Sequence, residues 1–338
     1  MPAAPPVRLR ALREASGLSQ AQLAERAGVS RALVSAVERG LHRPAVDTAL
    51  RLASAVGTTV EELFAPRPDA ASRTIDGRTI PDGTLVRLAL VGDERVAAPV
   101  ADPSGWAMAD AVIADGRPRL LAGGQATGTV VAGCDPALVV AAGLGPRNGA
   151  TRLVEVSATS GAARAALRAG RVHAAAVHGP AGGLGRAPAG VRRFQLARWS
   201  VGVALTAAAA SVEELLTAAT TLVRRPEGAA SQQALDRASS ALGLPLPEGP
   251  VARDHATAAL LTATTGAAAI TYEPAALALG LSFLPVERHV VELWVAEAHA
   301  AEPGIAALLD TVRSRAFRER VAARPGYDLA GCGDEIAA

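Results

Sequence analysis

At 338 residues the chain exceeds one small domain, and an allowance of about 100 to 200 residues per domain gives two or three units. Half of its residues are apolar and a fifth are charged, enough to bury sizeable cores and too apolar for disorder. A net charge of +2 argues against a chain that coats nucleic acid along its length, and 3% aromatic residues argue against base-stacking recognition of single strands.

Arginine carries every fixed positive charge, because the sequence has no lysine; Schiff-base chemistry and the lysine of a phosphate-binding P-loop are excluded with it. No cofactor and no metal site is expected. Cys134 and Cys332 are too few for a disulfide framework and lie outside any Cys-x-x-Cys spacing, so two reduced thiols are expected, with a redox role left open. No uninterrupted apolar run reaches about 18 residues, and Met1 to Arg10 lacks the order of a signal peptide. The expected location is cytoplasmic, without a membrane partner.

Residues 1–65 read as an all-helical domain. Ser19 with Gln22 forms a capping box, Gly28 interrupts the chain, Ser30 caps again, and Gly40 and Gly57 close later helices, five in all. Leu12, Leu18, Leu23, Ala27, Val29, Val34, Val37, Leu50, Ala53, Val56 and Leu63 recur at helical spacing as one core, with Val29 and Val34 as a hydrophobic staple. On the third helix Arg31, Ala32, Ser35 and Arg39 share one quadrant, opposite Leu33, Val34 and Val37. That outer face fits a major groove, where an arginine pairs with guanine; Gln20 and Arg43 flank it as phosphate contacts.

The run "LREASGLSQAQLAERAGVSRALVSAVERGLHRPAVDTALRLASAVGTTVEELF" resembles the Cro/repressor helix-turn-helix family along its whole length. The resemblance implies double-stranded DNA as partner. It places Gln20, Arg31, Ala32 and Ser35 at bases or nearby phosphates and Ser30, Arg39 and Arg43 on the backbone.

Residues 66–79 read as a linker, since the Pro, Asp, Ser and Arg stretch there has no apolar period. Residues 80–128 read as a small β-rich segment: "TLVRLALV", a Gly92-Asp93 turn and "RVAAPV" give a hairpin, either a rigid spacer or part of a dimer contact. Trp106 reads as a packing residue.

Residues 129–338 alternate strands with Ala-rich helices, opening β-α-β-α-β as a parallel sheet. Ligands of such sheets bind beyond the carboxyl ends of the strands, here Cys134 and Asp135, Ser157 to Gly161, and the loop from His178. A later set, through Arg224, Arg225, Gly228 and Ser231 and then Tyr272 and Glu273, repeats the order as a second lobe. The segments "VVAGCDPALVVAAGL", "SGAARAALRAGRVHAAAVHG" and "RDHATAALLTATTGAAAITYEPAALALGLSFLPVERHVVELWV" resemble the periplasmic-binding-protein fold, especially molybdate-binding-like sensor domains fused to helix-turn-helix domains.

The resemblance implies an α/β two-lobed sensor clamping a small metabolite or oxyanion. Ser157, Thr159, Ser160 and Gly161 form the best anion-facing set, at a helix start with free N–H groups. Cys134, Asp135, His178, Arg225, Ser231, Tyr272 and Glu273 complete the expected ligand-binding residues. Asp135 fits a doubly charged anion poorly and reads rather as the cap of the helix that Pro136 starts. Gly179 to Gly190 reads as a surface loop or a lid. His173 and His178, five residues apart on one strand, point to opposite faces and cannot share an ion. The whole is read as a homodimeric, ligand-responsive transcription regulator. Its rivals are a ligand-independent DNA-binding protein with an assembly domain, and an autoregulating enzyme using Ser160, His178 and Asp135.

Overall fold

The computed structural model describes residues 9–39, 42, 44–60, 63, 72–100, 103–182, 184–209, 211–218 and 221–337. Gly40, Arg43 and most of the expected fifth helix lie outside these residues. The amino-terminal helices are α1 (Leu9–Ala15), α2 (Gln20–Ala27), α3 (Arg31–Glu38) and α4 (Val46–Ala55). Both halves of the Ser19/Gln22 capping box form, Gly28 closes α2 at φ +64°, and Ser30 accepts from the Leu33 amide at the start of α3. The core contains Leu23, Ala27, Val34, Val37, Ala53, Val56 and Leu63 as expected, with Leu9 and Leu52 besides. Leu18, half-buried, and Leu50 are not part of it; Leu50 is 56% exposed, because Leu52 lies about 200° further round α4 and takes the inward place.

A four-stranded antiparallel sheet follows, in the order β2-β1-β3-β4, from β1 (Leu85–Val91), β2 (Glu94–Pro99), β3 (Ala111–Ala114) and β4 (Arg117–Leu120). Both hairpins turn on two residues, Gly92-Asp93 and Asp115-Gly116. In the second, both central residues have positive φ, +53° and +70°, as a tight primed turn requires.

The large sheet runs β6-β5-β7-β11-β8-β10-β9, with β12 (Glu335–Ile336) beside β8. In the first lobe β5 (Thr129–Gly133), β6 (Leu153–Ser157) and β7 (Ala174–Pro180) are parallel, connected through α5 (Ala137–Leu144) and α6 (Ser160–Arg168). The second lobe holds β9 (Leu222–Val223) and β10 (Ala268–Tyr272) with α7 (Val212–Thr217), α8 (Ala230–Leu242), α9 (His255–Thr265) and α10 (Glu273–Ala278). Two 15-residue strands, β8 (Val191–Leu205) and β11 (Ser282–Ala296), belong to both lobes. β11 pairs with β7 over His289–Val295 while β8 pairs with β10 over Val201–Ala204. The chain then returns to the first lobe as α11 (Pro303–Arg313) and α12 (Arg315–Ala322).

The β8–β11 ladder shifts register between Pro285 and Glu287 and again between Val291 and Glu292. Beside the first shift, a Cβ on Gly202 would stand 2.2 Å from the Leu284 carbonyl oxygen, so the two backbones meet where only glycine fits.

The first lobe's sheet buries one face under α5, α11 and α12, and the other under α6 and the four-stranded sheet: Val91, Val96 and Ala98 pack with Val130, Ala132 and Val154. Arg152 fastens the contact, bonding to Asp110 (2.8 and 3.0 Å) and to the Leu88 carbonyl (2.9 Å). The division expected at 128/129 is therefore not a physical boundary, since one core crosses it. The expected linker also shortens: Ile75 is buried, and Arg73 bridges both Thr79 and Val96.

Candidate functional site: a helix face and an inter-lobe cleft

Helix α3 packs through Val34 and Val37 and leaves Arg31, Ala32 and Arg39 exposed, with Ser35 half-buried among them. Ser30 is held as the cap, and Arg39 folds back to donate to the Ser35 carbonyl (3.2 Å). Gln20 is used internally: its amide donates to Glu38 (2.8 Å), whose other oxygen takes Arg13 (2.6 Å). The expected phosphate contact of Gln20 thus competes with a buried network that joins the first three helices. The Arg43 contact lies outside the described residues.

The second surface is the cleft between the lobes, beside the two crossing strands. A cavity of about 420 Å³ opens there, lined by Ser160, Gly161 and Arg164 of α6, His178 to Pro180 of β7, Gly228, Gln233 and Arg237 from the second lobe, and Glu287 of β11. The lobes touch at its edge, where the Gly161 amide donates to the Gly228 carbonyl (3.2 Å).

That contact corrects one expectation. The Ala162 amide is capped by Thr159 and the Gly161 amide is spent on Gly228, so the start of α6 does not offer these N–H groups to an anion. Ser157 is exposed and outside the lining. Ser160 is buried against the backbone of His178, accepting from its amide (3.1 Å) and donating to its carbonyl (3.4 Å).

Asp135 is also corrected. Its carboxyl accepts from the Ala137 amide (2.8 Å), Trp199 Nε1 (2.9 Å) and the Tyr327 hydroxyl (2.8 Å), which makes it a cap and a packing hub rather than a ligand contact. Burial pushes it above the usual carboxylate range, outweighing those three donors. The Ser160, His178, Asp135 constellation does not assemble, since Ser160 meets only the main chain of His178. Tyr272 is buried with its ring centroid 4.8 Å from that of His255 and 5.1 Å from that of Trp199. Glu273 starts α10 half-buried, outside the lining.

Arg225 lies 3% exposed. Its amide donates to Gln232, and its Nε and Nη2 donate to the carbonyls of Ala252 and Arg253, while Nη1 has no partner. Among the described residues no carboxylate stands in salt-bridge range of it. Ser231 Oγ, fully buried at the start of α8, and Arg164 Nε are likewise without partners; the Arg164 guanidinium stacks 4.7 Å over Trp294.

Between these arginines sits a group the sequence reading separated. Cys134 Sγ and ring nitrogens of His178 and His255 lie within 4.8 Å of one another. Burial first, then repulsion from neighbouring cationic groups, holds both imidazoles well below their ordinary 6.5, and burial pushes the Cys134 thiol up to about 12. His178 Nδ1 meets His289 Nδ1 (2.8 Å), and His289 Nε2 meets Glu287 (3.1 Å). A second group, His173, His299 and Glu302, lies on the first lobe. Sequence reasoning missed Arg164, Arg237, His255 and His289. Asp254-His255, a capping acid before a helix, is a readable signal, whereas His289 depends on a strand shared by two lobes.

Two lobes joined by two crossing strands, and an amino-terminal helical domain with an exposed recognition-type face, define a binding-protein domain fused to a helix-turn-helix domain. The chain belongs to the family described as PBP superfamily domain, matched over residues 142–313; residues 9–63 match the family described as Helix-turn-helix. An uncharacterized HTH-type transcriptional regulator of Mycobacterium tuberculosis is 43% identical over 56 residues, covering 17% of this chain and 40% of the relative. The chain thus spans about two fifths of the curated relatives it matches. The restriction-modification controller protein C.AhdI from Aeromonas hydrophila is 46% identical over 17% of this chain and 86% of its own, with a TM-score of 0.17. The regulatory domain of MetR, a LysR family regulator from N. meningitidis, is 14% identical over 62% of this chain and 98% of its own, with a TM-score of 0.45. No helix among the described residues is long and apolar enough to cross a membrane.

Proposed function

We propose that the protein is a cytoplasmic, homodimeric transcription regulator whose α3 helix reads duplex DNA and whose inter-lobe cleft senses a small anion. One observation carries the sensing half: Arg164 lines the cleft with a buried Nε–H lacking an acceptor and, among the described residues, no carboxylate in salt-bridge range. A guanidinium left without a counter-charge is costly to bury, and an anion in the cleft relieves that cost. Support for the reading half is the exposed Arg31 and Ala32, with half-buried Ser35 beside them, on a helix whose back is anchored in the core.

Two measurements on the full-length protein test this. Arg31→Ala is expected to relax preference at one base pair by about 1 to 3 kcal/mol; equal losses on operator and random DNA would overturn base reading. A panel of small carboxylates, phosphate and tetrahedral oxyanions should contain a member that raises the thermal midpoint, with the rise abolished in Arg164→Ala. A flat panel would favour an assembly domain, and turnover of the stabilising compound would favour an enzyme.

A further inference from the structure

We propose that a buried group beside the inter-lobe cleft binds a thiophilic d10 metal ion, Cu(I) or Zn(II), through Cys134 Sγ, His178 Nε2 and His255 Nε2. The hydrogen bonds around the two imidazoles fix which ring nitrogens hold lone pairs. The Glu287 carboxylate can only accept, so His289 Nε2–H donates to it (3.1 Å). That leaves Nδ1 of a neutral His289 as an acceptor, and His178 Nδ1–H must donate to it (2.8 Å). His178 Nε2 is therefore bare.

The same logic holds on the other lobe. The Thr271 hydroxyl spends its proton on the His255 carbonyl (3.0 Å), so across the 3.4 Å contact it can only accept from His255 Nδ1–H. His255 Nε2 is bare as well, and this atom, on a residue 1% exposed, has no partner. A ring nitrogen of each histidine and the Cys134 sulfur lie within 4.8 Å of one another, and no donor is hydrogen-bonded to His255 Nε2, which is what a cation needs.

Ligand type and surroundings fit the ion. A thiolate with two imidazoles suits Zn(II) and soft copper, and carboxylate-supported histidines behind a ligating imidazole orient it and raise its basicity; here Glu287 and His289 fill that place behind His178. Binding forms one metal–sulfur and two metal–nitrogen bonds and releases one proton, from the Cys134 thiol, to solvent.

Metal–nitrogen bonds of about 2.0 Å and a metal–sulfur bond of about 2.3 Å put the ligand atoms of a tetrahedral site roughly 3.3 to 3.6 Å apart, inside the 4.8 Å within which they already lie. His255 comes from the second lobe and the other two ligands from the first, so the ion would bridge the lobes. The ion and the anion of the proposed function are separate inferences, and the site stands if no anion binds.

The test is titration of the reduced, metal-free full-length protein with Cu(I) or Zn(II) against a competing chelator, and with Co(II) as a spectroscopic probe. One equivalent per chain is expected, weakened at least 100-fold in Cys134→Ser and in His255→Asn, with His299→Ala unchanged as the control for the other histidine cluster. Sulfur-to-Co(II) charge transfer in the unmutated protein is the readout that survives if a variant fails to fold. Either ion binding in this way supports the site and identifies its preference. An ion bound without sulfur ligation, affinity unchanged in both variants, or no ion held against the chelator would overturn it.

Discussion

Glu302 sits at the start of α11 without capping it, because its two oxygens face other groups: His173 Nε2 at 3.2 Å and His299 Nδ1 at 2.6 Å. Partial burial alone would raise this carboxyl, yet the hydrogen bonds from the two histidines bring it down to about 2, from an ordinary 4.5. A folded-state value below the unfolded one means stability present above 4.5 and lost as pH falls toward about 2. Glu302→Gln is therefore expected to lower the urea midpoint at pH 7, and the gap to the unmutated chain should narrow steadily from pH 4.5 to pH 3. A gap independent of pH would assign the loss to packing. At this same scale the sequence was informative about caps and poor about partners. Ser19, Gln22, Gly28 and Ser30 act within three residues of themselves, and their roles are local chemistry. Gln20 meets Glu38, 18 residues away, and Asp135 meets Tyr327, 192 residues away; no spacing rule reaches either pair.

Elements divide in the same way. The parallel β5-β6-β7 opening and the first hairpin were readable because their apolar runs and turns are contiguous. The second hairpin carried its signal, Asp115-Gly116 between short runs, and was passed over because β4 is largely exposed and polar. β8 and β11 were not readable, since strands shared by two lobes mix buried and half-buried faces along 15 residues. The docking of the four-stranded sheet was hidden too, because it depends on Arg152 and Asp110, 42 residues apart. Both are nearly fully buried, so removing one partner strands the other. Asp110→Ala is expected to cost about 3 to 5 kcal/mol in urea unfolding, whereas Asp110→Leu combined with Arg152→Met should recover most of it. If the double change is as damaging as the single one, the backbone bonds that Asp110 makes to Leu88 and Gln125, rather than the ion pair, hold the sheet in place.

In the proposed homodimer, the cleft matters to DNA only if lobe position changes the fit of the two α3 helices to half-sites about 34 Å apart. An effector shifts that equilibrium by no more than its preference for closed over open lobes, and the coupling is reciprocal, typically 5- to 150-fold. The lobes can be fixed without any effector at the edge where they already touch. A Cβ on Gly161 would lie 3.5 Å from the Gly228 Cα, whereas one on Gly228 would meet Thr159 Oγ1 at 3.4 Å and no atom of Gly161 within 4 Å, so a disulfide here requires the backbone to move until the two Cβ atoms stand about 3.8 Å apart. Gly161→Cys with Gly228→Cys, oxidised, should hold operator affinity at the value the unmutated protein reaches when saturated with the stabilising anion, and the anion should then change nothing. Reduction should restore both the starting affinity and the response. An oxidised variant that binds operator as the unliganded protein does, and still responds to the anion, would separate lobe closure from DNA binding and leave the large domain with assembly as its role.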